Sequence, residues 1–157
     1  MVLTDRPAYR MIESYTCETP EDTFALGEKI GNSVEAGDVF LLKGGLGAGK
    51  TLLTRGILNS LDFDIDEVTS PSFALVNLYR TPKFDVYHID LWRLDENSGI
   101  ASAVGLDEIL ASESAVVIVE WSEKLKKFGH QGRTVRVNIE GDGDWPRVIT
   151  VKTENEN

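Results

Sequence analysis

Eight consecutive residues carry the clearest chemistry in this chain: Gly44-Gly45-Leu46-Gly47-Ala48-Gly49-Lys50-Thr51. They fit the G-x-x-x-x-G-K-[ST] spacing of a phosphate-binding loop. Glycines let the backbone turn so that successive N–H groups face phosphate oxygens with no Cβ in the way. Lys50 would bring a cation to the β- and γ-phosphates, and the Thr51 hydroxyl is placed for magnesium. A helix beginning at the loop would present its positive end to the anion. The expected nucleotide contacts are therefore Gly45, Leu46, Gly47, Ala48, Gly49, Lys50, Thr51 and Leu52.

Such a loop needs acidic partners to hold magnesium and to position an attacking group. Glu120 follows the apolar run Val116-Val117-Ile118-Val119, and Asp90 ends the extended stretch Val86-Tyr87-His88-Ile89. Both would emerge at the C-terminal edge of a strand, where ligands bind in open α/β sheets. Glu120 is expected to act with Thr51 on magnesium, and Asp90 to serve hydrolysis by orienting or deprotonating water. Which of the two is the base stays open. His88 shares a strand face with Asp90 and is read as a structural hydrogen-bonder. Thr69-Ser70-Pro71-Ser72 could form a switch loop whose hydroxyls, Ser72 among them, sense a γ-phosphate, although such a string is more often an ordinary turn. Trp92 and Trp121 are read as core or edge aromatics by default, with a partner surface as the alternative.

The elements that must position these residues follow from local pattern. A helix is expected from about Pro20 to Val34, capped by Thr19, with Pro20 at its first position and Glu21 and Asp22 at its positive end. Val39 to Leu42 reads as a buried strand and Leu52 to Leu61 as the helix after the glycine loop. Phe73 to Tyr79 and Phe84 to Leu91 read as extended, broken by Thr81-Pro82. A helix around Ala101 to Ala111 leads to the strand Ala115–Val119, and Thr134–Ile139 and Val148–Lys152 flank a turn at Gly141–Asp144. The expected fold is α/β, a P-loop NTPase-like single domain over residues 1–157, with a mixed central sheet flanked by helices and antiparallel hairpin additions. A short flexible N-terminus and a frayed acidic tail, TENEN, complete the expectation.

Composition sets the outer limits. The chain has 157 residues, 41% of them hydrophobic, enough to bury roughly two-thirds of the unfolded surface without staples. One cysteine, Cys17, forms no internal disulfide, and with two histidines it makes no metal-ligand set. No apolar run reaches the roughly 18 residues of a membrane span, and the N-terminus has no signal-peptide core, so a cytoplasmic protein is expected. The formal net charge is −10, with 26 Asp and Glu against 16 Lys and Arg. That field disfavours independent capture of RNA or DNA and favours contact with nucleic acid through a basic partner.

Taken in order, GGLGAGKT, TSPSFALVNLY, VYHIDLWRL and VVIVEWSEK, preceded by TPEDTFALGEKIG, resemble the bacterial ATPase family TsaE (also called YjeE) of tRNA threonylcarbamoyladenosine biosynthesis. The likeness covers roughly Thr19 to Lys124. It implies ATP and ADP as ligands, Mg2+ as cofactor, and service to a TsaB–TsaD-type heterodimer, with tRNA reached only indirectly. By position Lys50 matches the phosphate lysine, Thr51 and Glu120 the magnesium residues, and Asp90 a catalytic acid, so Lys50, Asp90 and Glu120 form the implied catalytic set. Ser70 to Ser72 match a switch-like loop. Thr19 and Pro20 match a segment near the nucleotide base, and Arg147 does so by a looser alignment. Ser72 stands where the family has threonine and Trp92 where tyrosine is usual.

Other readings fit the glycine loop alone. A small-molecule kinase would need an arginine-rich lid, yet Arg55, Arg80, Arg93, Arg133, Arg136 and Arg147 are scattered. A GTP switch would usually carry Asn-Lys-x-Asp, which this chain lacks. A non-hydrolysing, ATP-dependent binding module remains compatible with the loop.

Overall fold

In chain order the elements are β1 (Tyr9–Cys17), α1 (Pro20–Gly31), β2 (Val39–Gly44), α2 (Lys50–Ser60), β3 (Val76–Arg80), β4 (Asp85–Asp90), α3 (Leu106–Leu110), β5 (Val116–Glu120), β6 (Gly132–Glu140) and β7 (Arg147–Glu156), with short 3-10 turns at Ile65–Glu67 and Ser122–Lys124. They come from a computed structural model that describes residues 8–69, 71, 75–94, 105–125, 130, 132–141 and 143–156.

One seven-stranded sheet has the order β1-β7-β6-β2-β5-β4-β3. β2 runs parallel to β5 and β6, and β4 runs parallel to β5. β1, β7 and β3 attach antiparallel. Apolar side chains explain why β2 and β5 lie at the centre. Phe40, Leu42, Val116 and Ile118 pack on one face with Leu26 of α1 and Leu53 and Ile57 of α2. Val39, Leu41, Val117 and Val119 pack on the other with Ile89 and Leu106. A strand covered on both faces reads as an unbroken apolar run, as these do.

The helices that flank the loop are set by their ends. Thr19 and Asp22 form a capping box, with Asp22 N–H on Thr19 Oγ1 at 3.2 Å and Thr19 N–H on Asp22 Oδ2 at 3.2 Å. Two N–H groups of the first turn are thereby satisfied. α1 then lies directly on α2 because glycines meet at the crossing. A Cβ at Gly56 would stand 2.2 Å from the Phe24 carbonyl oxygen, and one at Gly27 would stand 2.3 Å from that of Leu53. α2 starts after Gly49, whose φ of 112° is left-handed and suits glycine. Among the described residues no side chain caps its first turn.

Several boundaries differ from the sequence expectation. α1 ends at Gly31 rather than Val34, and α2 begins at Lys50. The third helix spans Leu106–Leu110, because Gly105 at its start is left-handed with a φ of 66°; positions 101–104 of the expected helix lie outside the described residues. Phe73 also lies outside them, and β3 begins at Val76. The acidic tail does not fray: β7 runs through Glu156 between β1 and β6. Thr153 and Asn155 are buried there. Glu154 is offset by Lys152 at 2.6 Å, Arg10 at 3.4 Å and Arg136 at 3.9 Å. These cations hold its carboxyl below the usual range, with the Lys152 hydrogen bond the largest cause. β1 itself was not expected; it takes up the chain read as a flexible N-terminus from Tyr9 onward.

Candidate functional site

The C-terminal ends of the parallel strands supply the site. β2 ends at Gly44 and feeds the glycine loop, β5 ends at Glu120, and β4 ends at Asp90. Asp90 and Glu120 are register partners across the parallel pair, so the two carboxylates stand side by side. In front of them opens a cleft of about 380 Å³. Leu46, Gly47, Gly49, Lys50, Thr51 and Leu52 form its loop side; Asp90, Trp92, Arg93, Glu120 and Trp121 form the rest.

Lys50, Thr51, Asp90 and Glu120 are each held in that cleft. Lys50 Nζ donates to the Gly44 carbonyl at 2.7 Å and the Gly45 carbonyl at 2.9 Å. It also lies 4.0 Å from the centre of the Trp121 ring, a cation–π contact. Burial pushes the Lys50 ammonium below its ordinary range, while Glu120, Glu123 and Asp90 pull it back up. The Thr51 hydroxyl donates to Glu120 Oε1 at 3.2 Å. Glu120 Oε2 meets His88 Nε2 at 2.5 Å, and both residues are buried. Asp90 Oδ1 accepts the Trp92 N–H at 2.8 Å, which closes a turn directly after β4.

An aromatic rim covers the mouth. Trp92 and Trp121 pack with centroids 4.5 Å apart. Trp121 sits at φ 60°, a left-handed conformation uncommon for a bulky residue. Lys124 Nζ ties the rim down by donating to the carbonyls of Trp92 at 2.5 Å and Leu94 at 2.8 Å. Ser122 Oγ donates to the Leu42 carbonyl at 3.1 Å, which fixes the chain beyond β5 to the end of β2.

The sequence expectations are met unevenly in space. Lys50, Thr51, Asp90 and Glu120 converge on the cleft, as do Leu46, Gly47, Gly49 and Leu52. Ala48 is buried in the core beneath the loop, and Gly45 is held in its turn by accepting the Ala48 N–H. Thr19 and Pro20 are exposed at the start of α1, and neither lines the cleft. The same helix does reach the loop through Thr23, whose methyl would lie 3.6 Å from a Cβ on Gly49.

Arg147 lies behind the loop instead of in the cleft. It is buried, and its Nε donates to the Ala48 carbonyl at 3.3 Å. Its other donors reach the carbonyls of Gly143, Asp144 and Pro146. With every recorded acceptor a carbonyl, it straps the turn between β6 and β7 to the phosphate loop. Ser70 and Ser72 lie outside the described residues. The root of their segment is fixed, since Tyr79 Oη donates to the Thr69 carbonyl at 2.9 Å.

Two features of the cleft escaped the sequence. Arg93 is one of its walls, although read as one of several scattered arginines. Its position three residues beyond the C-terminal end of β4 was the available signal. Trp121 serves as a seat for Lys50, which the run VVIVEW does not announce because no spacing rule links it to the loop.

A mixed sheet with a glycine loop between a central strand and a helix defines a P-loop NTPase-like α/β domain. The model of one protein family, described as threonylcarbamoyl adenosine biosynthesis protein TsaE, matches residues 17–149, and the chain belongs to that family. A relative from Mycobacterium tuberculosis (strain ATCC 25618 / H37Rv), named tRNA threonylcarbamoyladenosine biosynthesis protein TsaE, is 42% identical over 113 residues. That match takes in 67% of this chain and 66% of the relative, so the chain spans just under two thirds of its length. A relative of the same name from Rickettsia prowazekii is 32% identical over 141 residues, 90% of this chain and 95% of its own. The crystal structure of Bacillus subtilis YdiB superimposes with a TM-score of 0.71 at 27% identity, covering 98% of this chain and 90% of that one.

Proposed function

We propose that the chain binds ATP with magnesium, hydrolyses it, and serves tRNA threonylcarbamoyladenosine synthesis in the cytoplasm beside a TsaB–TsaD-type heterodimer, without performing the transfer itself. The observation that carries this is the convergence of Lys50, Thr51, Asp90 and Glu120 on one cleft at the C-terminal edge of parallel strands. The names of the relatives supply the pathway.

The residues fit magnesium. Among the described residues no group of three or more His, Cys, Asp and Glu gathers as a metal set. A P-loop magnesium needs none, because phosphate oxygens and water fill most of its octahedron. What it takes from the protein is a hydroxyl beside a carboxylate, and Thr51 and Glu120 stand in that relation at 3.2 Å. When bound, the ion would neutralise phosphate charge.

The rest falls to the chain. The glycine loop and the uncapped start of α2 would offer backbone N–H groups to the phosphates, the Ala48 N–H excepted because the Gly45 carbonyl holds it. Lys50 leaves its carbonyl seat and the Trp121 ring for the β- and γ-phosphates. Asp90 orients the attacking water and receives its proton on a carboxylate oxygen. Trp92, Trp121 and Leu46 border the opening, with Trp92 42% exposed and Leu46 74% exposed. A protein partner seated on that border would exclude water and could add a cation to the one that Arg93 supplies. Phosphate release measured with and without a TsaB–TsaD pair tests the reading, and a several-fold rise is expected. Fast hydrolysis indifferent to the pair, or transfer of phosphate to a metabolite, defeats it.

A further inference from the structure

We propose that His88 is a positioning residue that aims the Glu120 carboxylate at Thr51 and keeps it off Lys50. This rests on the reading of Glu120 as a magnesium residue and adds a residue that reading does not contain. Glu120 is only 3% exposed, and an ionised carboxylate so placed needs donors for its lone pairs. Its hydrogen-bond partners are Thr51 Oγ1 and His88 Nε2, and the histidine contact, at 2.5 Å, is the shorter.

The backbone explains how the contact is made. His88 is opposite Ile118 in the parallel register, while Glu120 is opposite Asp90. His88 and Glu120 therefore share a sheet face, and the ring reaches forward along the strand to the carboxylate. The ring is fully buried. Tyr79 lies on one side at a centroid distance of 6.0 Å, and its hydroxyl is held by Thr69 and Asn77. A ring seated this way holds its nitrogen still.

The alternative partner for Glu120 is close by. Lys50 senses the Glu120 charge, yet its Nζ is bonded to the carbonyls of Gly44 and Gly45. With Oε2 held by His88, the remaining oxygen faces the Thr51 hydroxyl. Without that donor the carboxylate is free to turn toward the ammonium, and the hydroxyl–carboxylate pair comes apart. Tautomer bookkeeping agrees: an Nε2–H that donates to Glu120 leaves Nδ1 bare, and Nδ1 is the buried ring atom with no hydrogen-bond partner among the described residues.

The test is calorimetric binding of ADP to the whole chain, with saturating Mg2+ and again with a chelator. His88→Leu keeps the bulk and removes the donor. It should lower magnesium-free ADP affinity no more than several-fold, through Glu120 competing for Lys50, and cut the magnesium enhancement by about ten- to a hundredfold. His88→Gln, which keeps an N–H at similar reach, should restore most of it. A folded His88→Leu protein with wild-type enhancement overturns the proposal, as does a His88→Gln protein impaired as badly as His88→Leu. Glu120→Gln separates the two levels: full enhancement there defeats the magnesium reading itself, whatever His88 does. If His88→Leu does not fold, the wild-type chain decides by NMR of its two histidines. A slowly exchanging His88 Nε2–H that shifts in Glu120→Gln supports the proposal, and an Nε2 that carries no proton or ignores that substitution overturns it.

Discussion

β5 and β1 lie in the same sheet and have opposite lives. All five residues of β5 are buried, whereas seven of the nine in β1 are exposed. β5 runs between β2 and β4 and carries a carboxylate at its tip; β1 is the outer edge, paired on one side to β7. The difference separates two tasks of one sheet. Its parallel centre is covered on both faces, so a ligand can meet it at the strand ends, where Glu120 and Asp90 emerge. Its outermost antiparallel strand buries little, and among the described residues the flank meets the phosphate loop through Arg147 of β7, which straps it from behind.

The largest effects should follow changes at the parallel strand ends. Asp90→Asn keeps an acceptor for the Trp92 N–H and removes the proton acceptor. Turnover in the presence of the partner pair should fall by about a hundred- to ten-thousandfold, with ATP affinity nearly intact. Wild-type phosphate release from that variant would remove Asp90 from the chemistry. Lys50→Ala comes next. Ligand that binds only the folded chain stabilises it by about 2.7 kcal/mol at a hundredfold excess over its Kd. Thermal melts should lose most of this shift with Mg·ATP in Lys50→Ala, and an unchanged shift would show that the loop lysine does not hold the phosphates.

The same contrast explains what the sequence discloses. Val39–Leu42 and Val116–Val119 are unbroken apolar runs because both their faces are packed, so the centre of the sheet is legible from those runs and the loop between β2 and α2 from its spacing. Glu120 is legible as the first polar residue after such a run, and Asp90 as the end of the extended stretch Val86–Ile89. β1 is not legible: Tyr9-Arg10-Met11-Ile12-Glu13-Ser14 neither alternates cleanly nor clusters, since neither face is covered. β7 hides its tail for a related reason. Thr153 and Asn155 are buried polar residues, and a pattern rule based on apolar side chains takes them for solvent-facing ones. The link from His88 to Glu120 is also hidden, because it depends on which strands are neighbours and in what register.

A third prediction asks whether the helices that back the loop tolerate any change. Gly56 has no room for a Cβ against the Phe24 carbonyl, and that oxygen belongs to a helix backbone with little freedom to move. Gly56→Ala should cost about 1–3 kcal/mol of stability by overpacking, a fall of about 2–4 °C in Tm for each kcal/mol at this size. A denaturant titration showing no loss would mean that α1 and α2 can part without consequence, and the loop's support would have to be sought elsewhere.

The smallest effect belongs to the edge strand, and it completes the comparison. Ile12 is 61% exposed in β1, so its side chain has most of its surface in water whether the chain is folded or not. Ile12→Thr keeps the β-branch, and with it the strand preference. It removes little buried area, and substitutions of this kind fall within about 0.5 kcal/mol. The same apolar-to-polar change at Ile118, fully buried in β5, leaves a polar group unpaired and should cost several times as much. Chemical denaturation of the two variants gives the ratio directly, and melts with Mg·ATP should show a wild-type shift for Ile12→Thr. If Ile12→Thr costs as much as the core change, then β1 is held by contacts beyond its pairing with β7, and the division between a site-bearing centre and a lightly held flank fails.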